Sequence, residues 1–232
     1  MKILRTTIAN PAMKSADPFP PGGFPKPVPQ PFIGRHISLQ PLHVTTDTPA
    51  LYAASHEPDS RDAIWRYMTV GPFADATSMS LWLHGRSRLP DMIPFTVRDQ
   101  TSGAIIGSIS LMTIRPEHGA AELGFIWYIA AAQRTKANTE AAYLLLHYCF
   151  HTLRYRRIEW KCDAENARSR AAASRLGFNF EGIFRQHMIV KGRNRDTAWF
   201  AMCDHEWPRI GGELRRWLYE DDSHPLSLAG RA

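Results

Sequence analysis

Cysteine is scarce in this chain, and its number is odd: three in 232 residues. Cys149, Cys162 and Cys203 lie far apart, with none of the spacings of a zinc or dithiol site, so neither a metal site nor a disulfide framework is expected. Cys149 and Cys162 fall within apolar stretches and read as buried free thiols of a reducing compartment. No run of about 18 apolar residues occurs, so no membrane span is expected. The first residues lack the apolar core of a secretory signal, which leaves a cytoplasmic protein as the expectation. Internal repeats are absent. Excess charge is small: a net +6 favours anionic partners but is modest for a dedicated nucleic-acid binder. The basic residues are dispersed, with no reader motif, so no nucleic-acid partner is expected. Apolar residues are plentiful at 44%, and aromatics at 11%, enough for a proper core in one domain with extensions.

Proline is concentrated near one end. The stretch 17–31 is too rich in it to donate the hydrogen bonds of a helix or sheet. Residues 1–34 therefore read as a proline-rich arm, packed on the domain surface or offered to a partner. Residues 35–219 form the domain, and 220–232 a loose polar tail. Inside the domain, HISLQPL alternates as a first strand. Asp47 or Thr48 caps a helix with Pro49 in its first turn. DAIWRYM reads as a further helical piece, and Asp75 caps another helix. Strands near 93–99, 104–113 and 120–129 follow, separated by turns, as an antiparallel meander. The remaining order is helix, strand, helix, two strands (178–185 and 196–203) and a helix over 205–218. KGRNRD, 191–196, reads as the turn between those two strands, and as a solvated one.

The most informative stretch is 119–182. The strand GAAELGFIWYI runs into the polar turn AAQRTKAN and then the helix TEAAYLLLHYCFHTL. A turn feeding a helix N-terminus straight after a strand offers free N–H groups and a positive dipole end to a diphosphate. The same residues also suit an ordinary polar turn with Asn138 or Thr139 as N-cap. A crossover helix between 129 and 157 implies a parallel strand pair in mid-sheet. Asn166 caps a helix over 167–176 and Gly177 ends it.

Together these pieces resemble the GNAT acyltransferase superfamily, and within it the Rim-type branch of ribosomal-protein N-terminal acetyltransferases. Glu122-Leu123-Gly124, Thr139-Glu140-Ala141 and Asn166-x-x-Ser169 carry the resemblance. Arg175-Leu176-Gly177-Phe178 with Glu181-Gly182, and Gly192-Arg193-x-Arg195-Asp196, agree with it. It spans roughly residues 35–208 and implies an α/β fold: a mixed, mostly antiparallel sheet of about seven strands with helices on both faces.

The resemblance also implies an acetyl-CoA-dependent N-acetyltransferase. The acetyl group would pass directly to a primary amine, a protein N-terminus or a small molecule, in a ternary complex. Arg134, Thr135, Lys136, Ala137, Asn138 and Thr139 take the pyrophosphate loop. The family usually has glycines there; here Arg134 and Lys136 offer charge and Thr135 a hydroxyl instead. Trp127, Tyr128 and Ile129 take the bulged strand that pairs with pantetheine, or are simply a core strand. Asn166 contacts the pantetheine arm, and Ser169 is a candidate proton donor to the leaving thiolate. Glu122 matches the base that removes a proton from the acceptor ammonium, since only the neutral amine attacks. Its bland alternative is an ion pair that orders the strand; His118 is a weaker rival base. Trp65 and Tyr67 are the expected acceptor contacts. A second copy pairing through the sheet edge or last helix fits the same fold. A CoA-binding relative without turnover and a basic nucleic-acid module are the alternatives of other classes.

Overall fold

The computed structural model describes residues 22–223 together with 226 and 228. The expectations for residues 1–21 and for the rest of the C-terminal tail lie outside the described residues. Eight strands form one sheet in the order β1-β2-β3-β4-β5-β6-β8-β7. They are β1 (Phe32–Ile33), β2 (Ile37–Pro41), β3 (Ile93–Asp99), β4 (Ile105–Arg115), β5 (Ala120–Tyr128), β6 (Arg157–Asp163), β7 (Asn179–Val190) and β8 (Arg193–Cys203). Six α-helices accompany them: α1 (Val44–His56), α2 (Pro58–Trp65), α3 (Ala76–Ser87), α4 (Lys136–His147), α5 (Ala167–Arg175) and α6 (Trp207–Tyr219). Neighbouring strands run antiparallel except β5 and β6, which α4 joins as a crossover.

The sheet carries a core on each face. One buries Ile37, Phe95, Leu111, Leu123 and Phe200 with Leu145 of α4 and Ile210 and Leu214 of α6. The other packs Leu51, Trp65, Met79 and Leu83 of α1–α3 against Ile105 and Trp127. Burying the apolar face of each helix on the sheet is what stabilises this arrangement. Asp75 caps α3 as expected: its carboxylate accepts from Ser78 N–H at 2.7 Å in a reciprocal capping box. Gly177 stands at φ 94° just beyond α5.

Several elements depart from the sequence reading. The proline-rich lead does reach the sheet: Phe32–Ile33 pairs with Leu39 and Ser38 as an edge strand. Two residues need few donors, and an edge tolerates prolines alongside. Phe24 N–H donates to the Pro116 carbonyl, and the Phe24 ring packs edge-on against Tyr155. α1 begins at Val44, so Pro49 lies inside it and neither Asp47 nor Thr48 is its cap. Asp47 instead accepts from His43 N–H and pairs with Arg98 at 2.7 Å. α4 starts a turn early and closes in a π-helical turn over Tyr148–Thr152. β7 runs to Val190, so the hairpin turns at Lys191 and Gly192, both at positive φ as a tight two-residue hairpin requires. Where a loose tail was expected from Glu220, Asp222 pairs with Lys136 and Leu228 is buried against the core.

Candidate active site

β5 and β6 part company halfway along the sheet. Their parallel pairing holds for Ala120, Ala121 and Glu122, opposite Arg157, Ile158 and Glu159, and then ends. A bulge drives the separation. Ser110 faces Gly124 and Ser108 faces Trp127, so two residues of β5 oppose one of β4, and Phe125 takes a left-handed φ of 49°. An extra residue bends the bulged strand and sharpens its twist. The gap opens into a cleft of about 1520 Å³ running from α2 and α3 past Glu122 to α4 and α5. Cations outnumber carboxylates along its lining.

The splayed strand offers free main-chain groups on alternate residues. Ile129 N–H donates to the Ile106 carbonyl of the β4 side, and its own carbonyl accepts from Ala132 N–H. Ile129 is therefore spent, and it does not line the cleft; the pantetheine role read for it is corrected. By the alternation of an antiparallel ladder Trp127 also turns its polar groups to β4, whereas Tyr128 turns its own to the open side. The Tyr128 carbonyl there accepts from the Gln133 amide at 3.0 Å. Trp127 and Tyr128 both line the cleft.

The predicted pyrophosphate turn divides in two. Thr135 is the N-cap of α4, accepting from Ala137 N–H at 3.2 Å, which moves the cap back from Asn138 and Thr139. Arg134 stands at φ 62°, the left-handed conformation that glycine adopts without cost. Arg134, Thr135 and Asn138 line the cleft, and the Asn138 Oδ1 is buried without a partner. The other three face elsewhere. Lys136 sends its ammonium to Asp222 at 2.8 Å and to the Leu218 carbonyl. Ala137 is buried, and Thr139 is fully buried, accepting from Arg175 Nη1 at 2.9 Å. An early helix start rotates these side chains off the cleft face.

Across the gap, Asn166 and Ser169 meet as the spacing suggested. Asn166 Oδ1 accepts from Ser169 N–H at 3.1 Å, and both residues line the cleft. The cap uses the amide oxygen and leaves the NH₂ free. Ser169 Oγ accepts from Trp160 Nε1 at 3.0 Å, so its own proton can point elsewhere. Cys162 lies beside it with burial raising its thiol pKa, and burial raises that of Cys149 further still. Neither thiol is prepared as a nucleophile.

Glu122 sits at the floor of the splay, buried. Its Oε2 accepts from Lys161 Nζ at 2.8 Å and Thr113 Oγ1 at 3.2 Å. The partner is thus a lysine, which sequence reasoning missed; Glu159 and Lys161, opposite charges two apart and so on one face of β6, were the available signal. Lys161 Nζ also lies 2.9 Å from Glu159 Oε2 and 4.1 Å from the Trp199 ring centroid. Glu159 is further paired with Arg115 and Arg157, each at 2.9 Å. Burial alone would raise the Glu159 pKa, but Lys161, Arg157 and Arg115 outweigh it and hold the carboxyl at about 2, below its ordinary 4.5. The folded state therefore resists protonating it. Its stabilisation is whole above pH 4.5 and is lost as pH falls from there toward 2. Glu159→Gln is expected to flatten that acid limb in urea unfolding measured across pH; an unchanged limb would show that other carboxylates govern it.

On the acceptor side Tyr67 lines the cleft, its hydroxyl 3.4 Å from the Glu165 carbonyl. Trp65 does not reach it: the ring is buried and its Nε1 donates to the Ser55 carbonyl at 3.0 Å. The expected acceptor contact by Trp65 is corrected to a core role. His118 is exposed in the turn before β5 and off the cleft. Among the described residues no group of three or more His, Cys, Asp or Glu could hold a metal ion, and no helix is long and apolar enough to cross a membrane.

Comparison with known proteins identifies the family. The family described as acetyltransferase (GNAT) domain matches residues 36–179. The chain is 42% identical to a GCN5-related N-acetyltransferase from Brucella melitensis, whose crystal structure superposes with a TM-score of 0.82 over 88% of this chain and 93% of that one. It is 30% identical to a Bacillus subtilis protein named "Putative ribosomal N-acetyltransferase YdaF", over 75% of this chain and 95% of the relative. A Salmonella typhimurium acetyltransferase that modifies the N-terminal serine of ribosomal protein L7/L12 shares the fold, with a TM-score of 0.63 over 73% of this chain and 96% of that one, at 20% identity. The match to the family covers more than half of the sequence, and the relative 42% identical over most of its length carries the same fold: the chain belongs to the GNAT acetyltransferase family.

Proposed function

We propose that this enzyme transfers an acetyl group from acetyl-CoA directly to a primary amine, both substrates being bound together in the cleft. The observation that carries the reading is the splay of β5 from β6 with the N-terminus of α4 at its end. The residues present fit the nucleotide. Tyr128 offers its main-chain N–H, and the second lone pair of the carbonyl that accepts from Gln133, to the amides of a pantetheine arm. Arg134 and the first-turn N–H groups of α4 face a diphosphate. The unpartnered Asn138 amide can present either its oxygen or, rotated, its NH₂. Asn166 holds the arm from the other wall.

The chain's own side chains then divide the proton work. Glu122 takes a proton from the acceptor ammonium, directly or through a water. Ser169 gives its hydroxyl proton toward the departing sulfur. When bound, acetyl-CoA supplies the activated acyl group; holding it beside the amine contributes much of the acceleration. No acyl-enzyme is required, in keeping with the two buried thiols. By analogy with the relatives named for ribosomal acetylation, a protein N-terminus is one acceptor class.

Titration with acetyl-CoA tests the reading. Binding at 100 times Kd is expected to add about 2.7 kcal/mol to unfolding stability. Asn166→Ala is expected to weaken binding about tenfold, the loss of one well-placed polar contact. Neither heat nor stabilisation at saturating acetyl-CoA would sink the assignment. Binding without thiol release from any amine would point instead to a relative that senses CoA.

A further inference from the structure

Arg86 has no place in the chemistry above, yet it is set into the wall of the same cleft. It lies in the last turn of α3. Its guanidinium stacks over Phe125, Cζ 4.4 Å from the ring centroid, and 5.9 Å from that of Trp82. A stacked guanidinium keeps its in-plane N–H donors free. Here they stay unspent: among the described residues Arg86 forms no side-chain ion pair, and its buried Nε has no hydrogen-bond partner. The cation is half-buried, and burial lowers its pKa against the pull of Asp91 and Glu122. Of the other cations of the cleft, Lys161 is engaged by Glu122 and Glu159 and Arg175 by Thr139, Arg66 lies over the Tyr67 ring, and Arg134 is assigned above to the diphosphate. Arg195, on β8, also has a buried unpartnered Nε, but among the described residues its guanidinium is not stacked on the Phe125 ring of the bulge.

The bulge ties Arg86 to the proposed base. Phe125, whose ring carries the guanidinium, follows Gly124. A Cβ on Gly124 would lie 3.4 Å from Glu122 Oε1, the oxygen left over once Oε2 has met Lys161 and Thr113. One end of this short stretch thus presents a carboxylate oxygen and the other a free guanidinium. An amine that carries its own carboxylate matches both ends.

Resting on the acetyl-transfer reading, we propose that Arg86 binds a carboxylate of the acceptor, so that the acceptor class is an amine bearing a carboxylate near its amino group. The carboxylate has two sources: the α-carboxylate of a free amino acid, or an acidic side chain next to a peptide N-terminus. The Glu122 end takes the ammonium and the Arg86 end the anion. The aromatic shelf of Phe125 and Trp82 excludes water and strengthens the charge-assisted contact.

The test compares acceptors that differ in one charge. L-serine is set against L-serinamide, and the peptide amide Ser-Asp-Ala against Ser-Asn-Ala, using the full chain with acetyl-CoA and thiol release as readout. Calorimetry with CoA present gives binding of the same four probes. One carboxylate-bearing probe is expected to exceed its neutral partner by about tenfold or more in kcat/KM and in affinity, and which pair does so identifies the source. Arg86→Met is expected to erase that preference, chiefly through KM, while the neutral partner changes by less than about threefold and acetyl-CoA affinity holds. Arg86→Lys should restore part of it. Equal treatment of both members of each pair by the wild type overturns the inference, as does a loss in Arg86→Met that is the same for charged and neutral probes. A carboxylate preference in binding with no thiol release would leave Arg86 standing and sink acetyl transfer instead.

Discussion

Glu122→Gln is expected to slow transfer to the preferred amine by about 10²–10⁴-fold in kcat/KM while acetyl-CoA affinity stays within about twofold. The substitution keeps the shape of the side chain and removes its ability to take a proton. It costs the fold little, because Lys161 retains Glu159 at 2.9 Å when its contact with Glu122 is weakened. Glutamine can still accept from Lys161 and Thr113 through its amide oxygen. The nucleotide contacts proposed at Tyr128, Arg134, Asn138 and Asn166 are untouched. The effect should therefore sit in the chemical step, and the rising limb of the pH–rate profile that reports the base should vanish. A variant with an unchanged pH–rate profile would return Glu122 to the bland role of an ion pair that orders β5.

The sequence carried the order of elements because most of them announce themselves locally. Apolar runs bounded by turn residues mark β3, β4 and β5, and Asp75 and Asn166 announce themselves as caps. Asn166 and Ser169 could be brought together from spacing alone, since one turn of a helix fixes their relation. What could not be read are features set by distant partners. Thr135 rather than Asn138 caps α4, and that one-turn shift sends Lys136 to the C-terminal segment and buries Thr139. Trp65 and Tyr67 are two residues apart at the end of α2, yet one is core and the other lines the cleft. Their difference follows from packing against His56 and Phe73 at 5.3 Å, which no local pattern encodes. Lys161 and Arg86 were missed for the same reason: each acquires its meaning from a residue on a different element, Glu122 and Phe125 of β5.

Glu140→Ala is expected to destabilise the protein by about 3–5 kcal/mol, the upper range for a single substitution. The carboxylate of Glu140 is fully buried on the second turn of α4. It accepts from three consecutive backbone N–H groups, Arg35, His36 and Ile37, each at 2.8 Å. Gly34 completes the cradle: a Cβ there would lie 2.4 Å from the Glu140 Cδ, so only glycine lets the chain approach this closely. Alanine at 140 leaves three donors without acceptors, that of Ile37 buried and those of Arg35 and His36 partly so, and a void where the carboxylate was. For a domain of this size the expected fall in Tm is about 10–15 °C, with the urea midpoint shifting and the m-value unchanged. The same contact fixes the entry of β2 against the helix whose N-terminus is proposed to hold the diphosphate. Loosening it should weaken acetyl-CoA binding as well, although no atom of Glu140 lines the cleft. A loss of less than about 1 kcal/mol would mean that water or a shifted β2 satisfies the three N–H groups equally well, and the coupling between the strand and the nucleotide site would fall with it.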